Sequence, residues 1–291
     1  MELYTVYRRL VRMRRLKWLW WSLVLLAVFG YSGYQAHLFI DREFKVAEEL
    51  PFYHVGPRPN DDTLRVAVIG DSWAEWHTTL HCDTLFEQYG KRQTNKPIRC
   101  QTRGKSGAKS KDVYYYMFRS HTQESSSEHD ICTQPLLEEH PDYCVVMVGI
   151  NDTWKKFPVS YYTGNYRLII RLLLANNIRP VVMEIPDFDV AGWLDIHRKR
   201  QRWLYRIYSY FNHVVEDDVT PFRDGLKKML KDTRLGDSVL FISADHWIPQ
   251  NHQYSEDIYQ TDHVHLNYQG YHILDSCIVS EIINDYAKRN K

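Results

Sequence analysis

The stretch RVAVIGDSWAEW, Arg65 to Trp76, decides how the chain is read. Val66, Val68 and Ile69 make a short β-branched run that stops at Gly70 and hands over to Asp71, Ser72 and Trp73 ahead of a helical pattern. A strand that breaks at a glycine and presents a serine before a helix is one way to hold a hydroxyl at the rim of a parallel sheet. An ordinary strand-turn-helix junction has the same appearance, so the surrounding sequence has to separate the two.

Outward from this stretch, short β-rich runs alternate with longer helical patterns. Strands are expected at Leu64–Ile69, Ile98–Cys100, Tyr143–Val148, Arg179–Ile185 and Ser238–Ile242. Helices are expected at Trp73–Gln88, Tyr161–Ala175, Asp195–Asn212, Pro221–Lys231 and Tyr268–Ala287. Such alternation predicts a doubly wound α/β sheet rather than a sandwich. In YRLIIRLLLANN, Leu168, Ile169, Leu172 and Leu173 share one helical face and read as core. The segment Asp195–Phe211 is basic and aromatic, the look of a nucleic-acid or membrane-surface helix. The spacing of Trp203, Ile207 and Tyr210 predicts instead an amphipathic packing helix with a solvated basic face. Ser125–Ser127 reads as part of a solvated polar loop.

With 291 residues the chain has room for one large domain or two small ones with a real core. Its net charge of +1 gives no overall electrostatic case for nucleic acid or an acidic partner. The cations are unevenly placed, however: Arg8, Arg9, Arg12, Arg14, Arg15 and Lys17 crowd the start, with Glu2 the only acid among them. Directly after them, Trp18–Ile40 carries no Asp, Glu, Lys or Arg. At 1.5 Å per residue a helix of this length crosses a bilayer core of roughly 30 Å, with Trp18, Trp20 and Trp21 suited to one interface and Tyr31 and Tyr34 nearer the other. It reads as a transmembrane signal anchor. Adjacent cations argue against a buried core helix, and no convincing small-x-small site marks a cleaved signal peptide.

Cations on the amino-terminal side favour keeping that end cytoplasmic. The expected organisation is therefore a basic cytoplasmic start at 1–17, a single-pass inner-membrane anchor at 18–40, a stalk at 41–63 containing Pro51, Pro57 and Pro59, and a catalytic domain at 64–291 on the extracytoplasmic side, the periplasm in a Gram-negative cell. Five cysteines suit that compartment without proving it. Cys144 and Cys277 read as small core residues, whereas Cys82, Cys100 and Cys132 could supply one disulfide.

Open parallel sheets bind ligands at the carboxyl ends of their strands. Ser72 follows the first expected strand, TRGKSGAKS with Gly104 and Gly107 the second, and VVMVGINDTW with Asn151 and Asp152 the third. TDHVHLN supplies Asp262 and His265 just before the closing helix. A serine hydroxyl is a weak nucleophile at neutral pH and needs a base, which in turn needs a group to fix its tautomer. His265 can serve as that base, and Asp262, three residues earlier, can accept its Nδ1 hydrogen. The backbone N–H groups of Ser72 and Gly107 and the side-chain amide of Asn151 could converge on the oxyanion that ester attack creates.

Asp71 and Asp152 are expected to organise their turns. The pair His263 and His265, with Asp262 and His252 nearby, raises a metal site, but no familiar zinc spacing supports one, and neither metal nor cofactor is expected. Trp76, His77, Trp154 and Trp193 near the rim serve either sugar stacking or packing.

The four blocks, GDSW, the glycine of KSGAKS, GIND, and DHVH followed by Leu-Asn, resemble the SGNH or GDSL hydrolase superfamily from about Leu64 to Lys291. The resemblance implies a flavodoxin-like three-layer α/β/α fold with a central parallel sheet. It implies Ser72 as nucleophile, Gly107 and Asn151 in the oxyanion hole, and Asp262 with His265 completing a triad. Trp73 stands where the family name has leucine, a position read as shaping the acyl pocket. The expected activity is that of a serine esterase removing short acyl groups, acetate foremost, from an envelope carbohydrate or related ester. An O-acyltransferase would use the same residues, and the intact set argues against a catalytically silent sugar-binding module. Expected partners are the ester substrate and, through the first helix, the membrane, with no nucleic acid.

Overall fold

Five strands line up in one fully parallel sheet in the order β2-β1-β3-β4-β5: β1 (Leu64–Gly70), β2 (Ile98–Gly104), β3 (Tyr143–Met147), β4 (Arg179–Met183) and β5 (Leu240–Ile242). The computed structural model describes residues 2–94, 96–120, 132–214, 218–248 and 257–290. Central β3 is buried along its whole length, as a strand covered on both faces must be, whereas edge strand β2 alternates buried Ile98, Cys100 and Thr102 with exposed Arg99 and Arg103. That alternation hides the second half of β2 from an apolar-run reading, which ends it at Cys100. The register pairs Gly70 with both Gly104 and Met147, so β1, β2 and β3 finish level and launch their loops from one edge.

Helices α2 (Ser72–Thr79), α3 (Asp83–Gln93) and α11 (Tyr268–Arg289) pack together with the sheet, and α4 (Ser110–Tyr116), α7 (Val159–Ala175) and α10 (Thr220–Asp232) form a second group. The short α5 (Gln134–Glu138) and α6 (Ile150–Trp154) flank β3, and α8 (Val190–His197) and α9 (Arg202–Asn212) follow β4. This is the flavodoxin-like three-layer arrangement. The core stripe Leu168, Ile169, Leu172 and Leu173 of α7 is buried as expected.

Two long helices of the sequence reading are each a pair. The first breaks at Leu80–Cys82, where His81 takes a left-handed backbone with φ 56°, so that α2 and α3 meet the sheet separately. The second breaks into α8 and α9 around a 3₁₀ turn at Lys199–Gln201.

The amino-terminal 45 residues and the remainder are separate compact units. The first holds α1 (Glu2–Phe44), of which Met13–Phe44 is long and apolar enough to cross a membrane. The stretch read as a stalk differs in its two parts. Residues 41–44 continue α1, whereas Ala47 N–H donates to Asn165 Oδ1 (2.8 Å), Leu50 N–H to Tyr114 Oη (2.9 Å) and Val55 N–H to Asn176 Oδ1 (2.8 Å). These side-chain acceptors lie more than sixty residues away in sequence, so no local period announces the docking.

All five cysteines are free thiols, and the pairing considered for Cys82, Cys100 and Cys132 is not formed. The serine-rich patch Ser125–Ser127 and His252 lie outside the described residues.

Candidate active site

Ser72 opens α2, where the first N–H groups of a helix have no intrahelical acceptor and point outward as donors. Asp71 caps the helix, its Oδ1 accepting the Trp73 N–H at 3.0 Å. Burial pushes the Asp71 carboxyl up to about 7 against the opposing pull of that N–H. The helix start lies so close to the end of β2 that a Cβ at Gly104 would fall 2.2 Å from the Glu75 backbone nitrogen and 2.6 Å from the Asp71 carbonyl oxygen. Only glycine lets the two backbones approach this far.

The loop carrying Gly107 is pinned from both sides. Glu75 of α2 accepts the Ser106 N–H at 2.7 Å and also the Ser106 hydroxyl. On the other side, Lys155 donates its Nζ to the Gly107 carbonyl at 2.9 Å. Gly107 itself is exposed and left-handed, with φ 80°, a backbone that L side chains rarely adopt. Farther along, Asp152 accepts the Ser110 N–H (3.0 Å) and hydroxyl (2.7 Å). Asp152 therefore organises more than its own turn: it clamps the start of α4 to α6. Burial drives its carboxyl up to about 7, with the Ser110 hydrogen bonds working against the shift.

Asn151, on α6, is buried. Its Oδ1 accepts the Trp154 Nε1–H at 2.9 Å, which fixes the amide so that the NH₂ end is the one left to donate. The Trp154 ring meets Tyr205 of α9 at 5.3 Å and Trp193 of α8 at 6.1 Å between centroids.

On the loop before α11, Asp262 Oδ1 accepts the backbone N–H groups of Val264 (3.1 Å) and His265 (2.9 Å), and Oδ2 is paired with His265 Nδ1. Burial opposes the charge on Asp262, but the His265 ring and these N–H groups outweigh it and hold the carboxyl at about 2. With Nδ1 committed, the other ring nitrogen, Nε2, is buried and makes no hydrogen bond to any described residue, Ser72 included. Bonds of this kind often tighten only in the substrate complex.

Two contacts bring this loop to the serine helix. Trp73 donates Nε1–H to the Val264 carbonyl at 3.2 Å, and the Trp76 ring lies 5.4 Å from that of His265. On another side Trp193 meets His265 edge-on at 6.1 Å. Trp73 thus ties the serine helix to the Asp262–His265 loop. It also lines, with Asp71, Met147, Val148, Met183 and Ile185, a small, mostly apolar pocket at the strand ends.

His263 Nδ1 lies 3.0 Å from the Asp189 carboxylate, and among the described residues no group of three potential metal ligands comes together. His77 is fully buried, with Nε2 3.1 Å from Asp275 and Nδ1 3.2 Å from the Thr102 hydroxyl, which joins α2, α11 and β2. His77 and Trp154 are therefore internal supports, and Trp76 and Trp193 are the aromatic rings beside His265. Glu75 and Lys155 escaped the sequence reading. Their one signal is position, three residues after Ser72 and four after Asn151.

The profile of the GDSL-like lipase/acylhydrolase family matches residues 68–273. Solved structures agree in fold. A protein assigned to the lipolytic G-D-S-L family from Desulfitobacterium hafniense superposes with TM-score 0.52 at 14% identity, covering 75% of this chain and 99% of its own. A lipase/acylhydrolase from Enterococcus faecalis gives TM-score 0.50 at 16% identity, with coverage of 75% and 94%. No curated protein matches the chain.

Proposed function

The chain belongs to the GDSL-like lipase/acylhydrolase family and is a serine hydrolase acting on esters, and from that premise we propose that it removes short acyl groups, chiefly acetyl, from a cell-envelope carbohydrate through an acyl-enzyme on Ser72. The observation that carries the assignment of roles is the Asp262–His265 pair: one ring nitrogen is tied to the carboxylate and the other is kept buried without a partner among the described residues, on a loop held against the serine helix by Trp73.

In this mechanism His265 Nε2 takes the Ser72 hydroxyl proton as Oγ bonds to the ester carbonyl carbon. The charge that develops on the carbonyl oxygen meets the N–H groups of Ser72 and Gly107 and the Asn151 amide. Collapse breaks the bond to the sugar oxygen, which leaves with the proton from His265. Water then gives a proton to His265, attacks the acyl carbon and displaces Ser72 Oγ, which recovers the proton. Asp262 stays ionised throughout and stabilises the imidazolium.

The small apolar pocket beside Asp71 supports a short acyl group, and the Trp76 ring beside His265 supports a sugar ring as the alcohol part. The amino-terminal helix is read as an anchor that holds the domain outside the cytoplasm. The test is to purify the full chain in detergent and measure acetate release from a chromogenic acetyl ester and from acetylated oligosaccharide, for wild type and Ser72→Ala. Release from both substrates, abolished by the substitution, is expected. Turnover that survives Ser72→Ala overturns the assignment, and acetyl transfer to added oligosaccharide in place of acetate release identifies a transferase.

A further inference from the structure

Helix α9 is turned outward. Its most apolar side, with Trp203, Ile207, Tyr210 and Phe211 at helical spacing, is exposed by 63%, 39%, 78% and 59% respectively, whereas Tyr205 is the side chain it buries. The packing face read from the sequence is thus the solvent face, and no described element covers it. A contiguous aromatic and aliphatic strip of this kind marks an interaction surface. The start of the helix and the turn before it are cationic, with Arg198, Lys199, Arg200, Arg202 and Arg206; Asp195 pairs with Arg202, and the acids Glu216, Asp217 and Asp218 come only after the helix in sequence.

We propose that α9 docks on an anionic lipid surface, with Trp203, Ile207, Tyr210 and Phe211 in the interfacial layer and the arginines at the headgroups. Aromatic and aliphatic side chains on one face with arginines around them are the composition of a helix that lies in a membrane interface. A second copy fits less well, since a two-fold contact would set this cationic segment against itself. The proposal rests on the reading that Met13–Phe44 anchors the chain in a bilayer. Given that tether, the lipid surface is always at high effective concentration, and weak intrinsic affinity is enough for docking. The opposite face of α9, through Tyr205, packs on the Trp154 that holds Asn151. Docking therefore holds the reaction centre against the bilayer and favours esters carried on lipid or displayed at its surface.

The test is photocrosslinking of the full chain reconstituted in vesicles, with benzoylphenylalanine in place of Ile207, Tyr210, Trp20 or, as an exposed control on α3, Lys91. In vesicles containing phosphatidylglycerol, lipid adducts are expected from positions 207 and 210 and not from 91. Each of Arg200→Gln and Arg206→Gln should lower the ratio of docked to undocked domain about fivefold, the effect of roughly one kcal/mol per headgroup cation. Lipid adducts at 20 without any at 207 and 210 overturn the docking while leaving the anchor intact. Crosslinks from 207 and 210 to a second copy overturn it in favour of self-association. Neither result bears on the hydrolase reading, because adduct formation needs no turnover.

Discussion

The Trp154 indole is expected to act on catalysis only through Asn151, and Trp154→Phe tests this. Phenylalanine keeps a ring against Tyr205 and Trp193 but removes the Nε1–H that the Asn151 Oδ1 accepts at 2.9 Å. Asn151 is 4% exposed, so water cannot easily replace the lost donor. A buried acceptor left without a partner costs about 1–3 kcal/mol. Without that donor the present amide orientation loses its preference by about this amount, and the conformer that directs oxygen, rather than NH₂, at the forming oxyanion gains population. At about 1.4 kcal/mol per factor of ten, kcat should fall roughly 5- to 150-fold. KM should change little, since the oxyanion exists only in the transition state. Asn151→Ala deletes the donor outright and sets the ceiling, roughly 100- to 1000-fold. Kinetics on a soluble acetyl ester for both single variants and the double variant complete the cycle. The double variant should match Asn151→Ala. If Trp154→Phe slows the Asn151→Ala background by the same factor as it slows wild type, the indole works by another route and the reasoning is wrong.

Asp262→Asn should reduce kcat by about 10⁴ with folding intact, because the amide stabilises the wrong tautomer and cannot support the imidazolium; steady-state kinetics with a thermal melt as control checks this. Gly104→Ala should destabilise by at least about 1–3 kcal/mol and lower activity, since its Cβ would meet Glu75 backbone at 2.2 Å; a drop in denaturant midpoint measures it, and an unchanged midpoint refutes the close packing of α2 on β2. Asp152 contributes a pH slope. Its folded value of about 7 lies above the ordinary 3.8, so its favourable contribution is complete below pH about 4 and is lost as pH rises toward 7. The loss amounts to about 4 kcal/mol as an upper figure, from roughly three pH units at 1.36 kcal/mol each. Asp152→Asn should flatten that part of the stability curve between pH 4 and 7.

By itself the sequence settled the fold class and the order of the four blocks. Alternating buried runs and helical stripes are local properties, and a parallel sheet follows from them with the loops at one edge. It also settled the Asp262–His265 pair, because residues three apart on one short loop meet without help from the rest of the chain. Tertiary structure alone decided how the loops of Gly107 and Asn151 are held. Glu75 on Ser106, Lys155 on Gly107 and Asp152 on Ser110 each span thirty residues or more, and a charged residue in a loop carries no mark of its distant partner. The docking of residues 47–55 was hidden for the same reason. Helix α9 is the sharpest instance. The spacing of Trp203, Ile207 and Tyr210 states that these side chains share a face, but periodicity is unchanged when a helix is rotated about its axis. Which face meets the protein and which meets the surroundings is decided by the packing of Tyr205 on Trp154, and only the folded chain brings those two together.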